Sequence, residues 1–196
     1  MIQDDFSKAS LISGAIPQHI IGAVVDHLLS LSSWFSLNSC QTLWFVKKPC
    51  TCQYAYSRYK IPCRPFPPIL QAVVEIVEKI LNIKGFNAIN VNSYSDGDSS
   101  LGYHSDKEAL FQATKQKACI VSISFGATRT FAIRNVKSGT EKIVALKHGD
   151  ILTMEGWFQK FFEHSILKDS QVVEQRFNLT LRKIVQHESS CTLAKS

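Results

Sequence analysis

His104-Ser-Asp106 sets an imidazole and a carboxylate two residues apart in a run that reads as a strand, just after a glycine-bearing turn. Side chains alternate across a strand, so the two groups are expected on one face. One further imidazole would complete the two-histidine, one-carboxylate triad that holds non-heme Fe(II) and leaves three positions open for chemistry. His164, within Phe161-Phe-Glu-His-Ser-Ile166 in another strand-like run, is the choice for that third ligand. The remaining histidines suit the role less well. His19 and His27 fall on a helical segment, His148 in a turn, and His187 beyond the last strand.

A His-x-Asp pair alone is a weak signal, and Arg176-Phe-Asn-Leu-Thr-Leu-Arg182 supplies its context. Alternation puts Arg176, Asn178, Thr180 and Arg182 on one face and Phe177, Leu179 and Leu181 on the other. The arginine Cα atoms are then separated by about 20 Å, so both long side chains can reach inward to opposite ends of a small dicarboxylate. Asn92-Ser-Tyr94, a second alternating pair, offers an amide and a phenol to the same ligand. The plain alternative is a solvent-facing polar edge.

The elements that must position these groups change character along the chain. Apolar residues at helical spacing predict helices over Pro17–Leu31 and Pro68–Leu81, with Asn82 and Gly85 ending the second. The proline-rich stretch between them is expected to be irregular or short-stranded. From Asn87 onward the pattern is short strands: Ala88–Tyr94, Leu101–Asp106, Ala118–Phe125, Arg129–Arg134, Lys142–Leu146, Asp150–Met154, Phe161–Ile166 and Arg176–Val185. Strands at this spacing predict a sandwich or jelly roll.

Composition agrees with a folded domain. The 196 residues are 45% hydrophobic and 19% charged, which excludes disordered, collagenous and coiled-coil classes. The most apolar stretch, around Ile16–Leu31, is broken by Gln18, His19, Asp26 and His27, too often for a membrane span. The acidic start, Met-Ile-Gln-Asp-Asp, lacks the basic residues of a signal peptide, so an intracellular protein with reduced thiols is expected. The four cysteines Cys40, Cys50, Cys52 and Cys63 do not have the spacing of a standard zinc knuckle.

The net charge of +6 is concentrated. No acidic residue occurs between Asp26 and Glu75, whereas Lys47, Lys48, Arg58, Lys60 and Arg64 are all basic. Trp34, Phe35, Trp44, Phe45, Tyr54, Tyr56, Tyr59 and Phe66 fall in the same window. Cations attract phosphates and flat rings stack on unpaired bases, so this mixture suits a single-stranded or flipped-base ligand. A basic loop lying over core aromatics is the bland counterpart.

Taken together, Asn92-Ser-Tyr94, His104-Ser-Asp106-Lys-Glu108, Ser124-Phe-Gly-Ala-Thr-Arg129, Gly149-Asp-Ile-Leu152, His164-Ser165 and Arg176–Arg182 resemble, in order, the AlkB family of Fe(II)- and 2-oxoglutarate-dependent oxygenases. The resemblance implies a mainly β fold, a double-stranded β-helix (jelly roll) with flanking helices. Residues 87–186 would form the catalytic core, 1–86 the N-terminal helices and lid of the same domain, and 187–196 a tail. It implies Fe(II) ligation by His104, Asp106 and His164, 2-oxoglutarate binding by Asn92, Tyr94, Arg176, Asn178 and Arg182, and O2 as co-substrate. Trp44, Tyr54, Tyr56, Glu108, Lys47, Lys48 and Arg58 are the corresponding substrate-side candidates.

The implied reaction is oxidative demethylation of N-alkylated bases in DNA or RNA, releasing formaldehyde, succinate and CO2. A methyl on a base edge reaches a buried iron only from a single strand or a flipped nucleotide. The partner expected is therefore nucleic acid and not a membrane, with the chain acting as a monomer. Two alternatives differ in substrate or class: an oxygenase of protein or lipid, and an inactive nucleic-acid-binding module.

Overall fold

The structure is a computed structural model that describes residues 2–37, 39–56 and 59–194, the Tyr56 side chain excepted. Arg58 lies outside the described residues. The chain opens with β1 (Ile2–Gln3), β2 (Ser7–Ile12) and helix α1 (Gln18–Ser30). Next come β3 (Phe35–Leu37), β4 (Cys40–Val46), β5 (Tyr54–Tyr56), β6 (Tyr59–Ile61), β7 (Cys63–Pro65) and α2 (Pro68–Leu81). The second half holds β8 (Ala88–Tyr94), β9 (Leu101–His104), β10 (Ala118–Gly126), β11 (Arg129–Asn135), β12 (Glu141–Leu146) and β13 (Ile151–Gly156). A single helical turn, α3 (Phe158–Phe161), precedes β14 (Phe162–Ile166) and β15 (Arg176–Arg182).

Among the described residues the strands form a large sheet ordered β1-β2-β13-β10-β15-β8-β4-β3, with β7 beside β4, a small sheet ordered β12-β11-β14-β9, and a separate antiparallel hairpin of β5 and β6. The two sheets share one apolar cluster, in which Trp44, Tyr94, Ile120 and Met154 of the large sheet meet Phe131, Ile133, Phe162 and Ile166 of the small one. The outer face of the large sheet carries both helices. Ile21, Val24 and Leu28 of α1 and Leu70, Val73 and Val77 of α2 pack on Val91, Ile123, Leu179 and Leu181. This is the jelly roll with flanking helices that the family resemblance implies, one of the two architectures the strand pattern allows.

Strand β15 shows how alternation builds the site. Phe177, Leu179 and Leu181 enter the helix-side cluster, whereas Arg176, Asn178, Thr180 and Arg182 line a cavity between the sheets. It is antiparallel to both neighbours, with Asn178 opposite Ser124 of β10 and Asn92 of β8. Helix α2 starts with Pro68 in its first turn, where no backbone bond is lost, and ends at Asn82, whose φ of 51° is the left-handed turn asparagine tolerates.

Three features differ from expectation. Strand β2 pairs with β13 and, on its other side, with the short edge strand β1, although its Ser-Lys-Ala-Ser opening has no strong apolar alternation. The segment before the first proline of the 49–68 stretch is a seven-residue strand, β4, buried at all but Gln41. The strand carrying His104 ends there, so Asp106 lies in irregular backbone and is not held by the pleat.

Candidate active site

His104 ends β9 and His164 sits within β14, directly opposite it in the register of the small sheet. Their ring centroids are 4.3 Å apart. Asp106 Oδ1 is 4.0 Å from His104 Nε2, and the ligand atoms of His104, Asp106 and His164 all lie within 4.8 Å of one another. The sequence-predicted triad therefore converges, though Asp106 arrives by a route other than strand alternation. Gln159 Oε1 accepts from the Asp106 backbone N–H at 2.9 Å, and Arg182 Nε donates to Asp106 Oδ2 at 3.1 Å. Arg182 Nη2 comes within 2.9 Å of Oδ1, but as an ion pair lacking a hydrogen-bond angle, so Oδ1 has no donor in the protein.

The imidazoles are prepared for metal. His104 Nδ1 pairs with the Gly102 carbonyl at 2.8 Å, which leaves Nε2 to face Asp106 and fixes the ring orientation. Phe131 stacks on the buried His164 ring at 5.4 Å. Burial, reinforced by His104, pushes the His164 pKa down to about 3, so it carries the neutral ring that ligation requires. Burial alone would raise the Asp106 carboxyl; Arg182, His164 and His104 outweigh it and hold the group below its ordinary range, as the carboxylate. Two imidazoles and one carboxylate are a donor set suited to Fe(II).

Beside them lies a narrow cavity, partly open to solvent, lined by His104, His164 and the polar faces of β8 and β15. Arg176, 1% exposed, is its most informative residue. Nη2 donates to Ser124 Oγ at 2.9 Å, while Nε and Nη1 have no hydrogen-bond partner in the protein. Burial draws its pKa down to about 10, and among the described residues no carboxylate pairs with it. A buried guanidinium without a counter-ion is costly unless a ligand supplies the anion. Tyr94 lies beneath it, 5.2 Å from ring centroid to guanidinium carbon.

Asn178 and Asn92 reach the same cavity but are already engaged. Asn178 Nδ2 donates to Ser122 Oγ at 2.7 Å and the Ile123 carbonyl at 3.0 Å, and Thr180 Oγ1 donates to Asn178 Oδ1 at 3.0 Å. Asn90 Nδ2 donates to Asn92 Oδ1 at 2.8 Å. Asn90, Ser122, Ser124 and Gln159 are thus site residues that the sequence reading missed. The first three were legible as further steps of the β8 and β10 alternation.

The substrate-side candidates divide. A wider cleft meets the cavity at His104 and is lined by Leu37, Ala55, Tyr59, Tyr103, Lys107 and Glu108. Tyr54 OH donates to Glu108 Oε1 at 2.7 Å, and Glu108 Oε2 is buried without a partner. Burial, with Asp106 adding to it, raises the Glu108 carboxyl. Trp44 does not reach the cleft: it is wholly buried, stacked on Tyr54 at 4.9 Å, with Nε1 donating to the Cys52 carbonyl. Trp44, a substrate-side candidate of the sequence, is therefore corrected to a supporting position behind Tyr54, because β4 is a strand paired on both sides and not a loop. Lys47 and Lys48 are exposed and line neither cavity. Of the Tyr56 side chain and Arg58 nothing is described.

Arg129, 1% exposed, sends its Nη groups to the carbonyls of Asp96, Gly97, Ser99 and Leu167 at 2.7–3.0 Å. It clamps the loop after β8 to the one after β14. Gly97 meets the Asp169 carbonyl there so closely that a Cβ would lie 1.6 Å from the oxygen.

The model of the 2OG-Fe(II) oxygenase superfamily matches residues 26–182. Alpha-ketoglutarate-dependent dioxygenase alkB homolog 3 of Rattus norvegicus is 32% identical over 154 residues, 73% of this chain and 49% of that protein. DNA oxidative demethylase ALKBH2 of Arabidopsis thaliana is 29% identical over 143 residues, 61% of this chain and 44% of that protein. The chain spans about half the length of the curated relatives it matches. A solved structure described as the structure of OsALKBH1 aligns with a TM-score of 0.66 over 92% of this chain and 99% of that one, at 17% identity, a likeness of fold. No helix among the described residues is long and apolar enough to cross a membrane. With its sequence matched from 26 to 182, its jelly roll shared and its two-histidine, one-carboxylate group facing a buried arginine, the chain belongs to the 2OG-Fe(II) oxygenase superfamily, in the AlkB family.

Proposed function

We propose that the chain is an oxidative demethylase of N-alkylated bases in nucleic acid, using Fe(II), 2-oxoglutarate and O2. The observation that carries the reading is Arg176: a buried cation with two unpaired donor groups, in the cavity that His104 and His164 also line. That arrangement calls for a small acid bound next to a metal. In this reading His104, Asp106 and His164 hold the iron. Arg176 and Tyr94 take the distal carboxylate of 2-oxoglutarate, and Arg182, Asn178 and Asn92 support the metal-binding end.

Iron and the keto acid, when bound, would supply an oxidant from O2, with succinate and CO2 as co-products. The chain's own work is positional. Arg182 keeps Asp106 ionised and aimed, Gly102 orients His104, and Phe131 shields His164. Hydroxylation of an N-methyl carbon yields a hemiaminal that releases formaldehyde and restores the base, so no protein general base is needed. Tyr54 lines the cavity and Glu108 the cleft, and their mutual hydrogen bond supports a role for the pair in receiving a base that leaves its stack.

The relatives named as a DNA oxidative demethylase and as an alkB homolog support nucleic acid as the substrate class. The test is a panel of methylated single- and double-stranded DNA and RNA with Fe(II), 2-oxoglutarate and O2, products identified by mass. Loss of one methyl mass with equimolar formaldehyde and succinate is expected. Succinate formed equally with and without every oligonucleotide would refute a nucleic-acid substrate.

A further inference from the structure

Cys50 and Cys52 sit in the loop that leaves β4, and His187 and Cys191 sit in the tail that follows β15. Distant in sequence, the four meet, with ligand atoms all within 4.8 Å of one another. His187 Nδ1 lies 3.7 Å from Cys50 Sγ, 3.4 Å from Cys52 Sγ and 3.5 Å from Cys191 Sγ. The sulfurs of Cys50 and Cys191 are 3.8 Å apart. A tetrahedral ion with bonds of about 2.3 Å to sulfur and about 2.05 Å to nitrogen has S–S edges of about 3.8 Å and S–N edges of about 3.6 Å. The observed separations fall around those edges.

Two backbone N–H groups are directed at the sulfurs. The Thr51 N–H donates to Cys191 Sγ at 3.3 Å, and the Cys52 N–H donates to Cys50 Sγ at 3.5 Å. A disulfide would use two of the sulfurs and give no role to the third or to the imidazole that all three approach. All six cysteines are free.

We propose that Cys50, Cys52, His187 and Cys191 form a structural zinc site, closed by four protein ligands and separate from the His104–Asp106–His164 group. Binding exchanges three thiol protons, released to solvent, for one Zn²⁺. Cys40 and Cys63 are not members, so the ligands are not the cysteines that sequence proximity brings together. The ion ties the tail to the root of the lid. Gln53 N–H also donates to Glu188 Oε2 there at 3.0 Å, and Thr192 N–H to Thr51 Oγ1 at 3.1 Å. The Cys52 carbonyl receives the Trp44 indole N–H, and Trp44 stacks on Tyr54, so the site braces the hairpin that borders the substrate cleft.

The test is zinc content, independent of turnover. The full chain is produced with zinc under reducing conditions, dialysed against citrate to clear weakly held metal, and analysed by elemental mass spectrometry. About one zinc per chain is expected to remain, to fall at least tenfold in Cys52→Ser and Cys191→Ser, and to persist in Cys40→Ser. Should the serine variants fail to fold, zinc-edge X-ray absorption of the unaltered chain decides, with three sulfurs at about 2.3 Å and one nitrogen at about 2.0 Å expected. Zinc retained equally by folded Cys52→Ser and Cys191→Ser, an absorption edge showing only nitrogen and oxygen, or a zinc-free chain lighter by two hydrogens would overturn the proposal.

Discussion

The two faces of strand β15 are equally buried and opposite in chemistry. On the helix side, Leu179 and Leu181 are fully covered by apolar neighbours and have nothing left to bind. On the cavity side, Arg176, Asn178, Thr180 and Arg182 are as hidden, yet Arg176 and Arg182 keep unpaired donors. The first face uses burial to hold the fold. The second carries charges whose desolvation opposes folding until a ligand or a partner compensates, so stability and function are divided residue by residue along one strand.

Substitutions can separate the two faces, beginning with the largest effect. Asp106→Ala removes a proposed iron ligand and leaves Arg182 buried without its partner; turnover is expected to fall by about 10²–10³-fold or more, with a loss of about 3–5 kcal/mol in denaturant unfolding. Arg176→Met should raise the KM for 2-oxoglutarate by about 100-fold, the equivalent of about 2.7 kcal/mol. The same change should leave the ligand-free chain no less stable, because an uncompensated cation is exchanged for an apolar side chain of similar length. Lower stability of Arg176→Met without 2-oxoglutarate would mean that the guanidinium is already neutralised within the fold.

Leu179→Ala inverts that pattern. A cavity opens against the helices at a cost of about 2–5 kcal/mol, while KM for 2-oxoglutarate measured well below the unfolding temperature changes by less than about twofold, below the ~0.5 kcal/mol coupling typical of independent sites. The smallest effect is expected on the exposed surface. Charge reversal of Lys47 and Lys48 should leave stability within about 0.5 kcal/mol and reduce the salt slope of oligonucleotide binding by about one for each phosphate no longer neutralised. An unchanged slope would remove these lysines from the nucleic-acid path.

What could be read in advance follows the same division. The period-two pattern of Arg176–Arg182 was legible because both of its faces are specified, one apolar and one polar. Helix α2 was legible to its last residue because Pro68 and Asn82 punctuate it. Strand β4 was obscured by continuous burial, which removes alternation, and by the prolines that follow it. Asp106 was assigned to the right site by the wrong geometry, since irregular backbone fixed by Gln159 and Arg182 leaves no local periodic mark. The company of Cys50 and Cys52 was beyond reach, because His187 and Cys191 join them only through tertiary folding.

The most direct test is an anaerobic titration in which Fe(II) and then 2-oxoglutarate are added to the chain while the visible absorption of the iron–keto acid chelate is followed. About one equivalent of each should be required, with the band present in the unaltered chain, abolished in Asp106→Ala and displaced to much higher 2-oxoglutarate in Arg176→Met. The same band at the same concentrations in Asp106→Ala and Arg176→Met would contradict an iron held by His104, Asp106 and His164 beside an arginine-anchored acid.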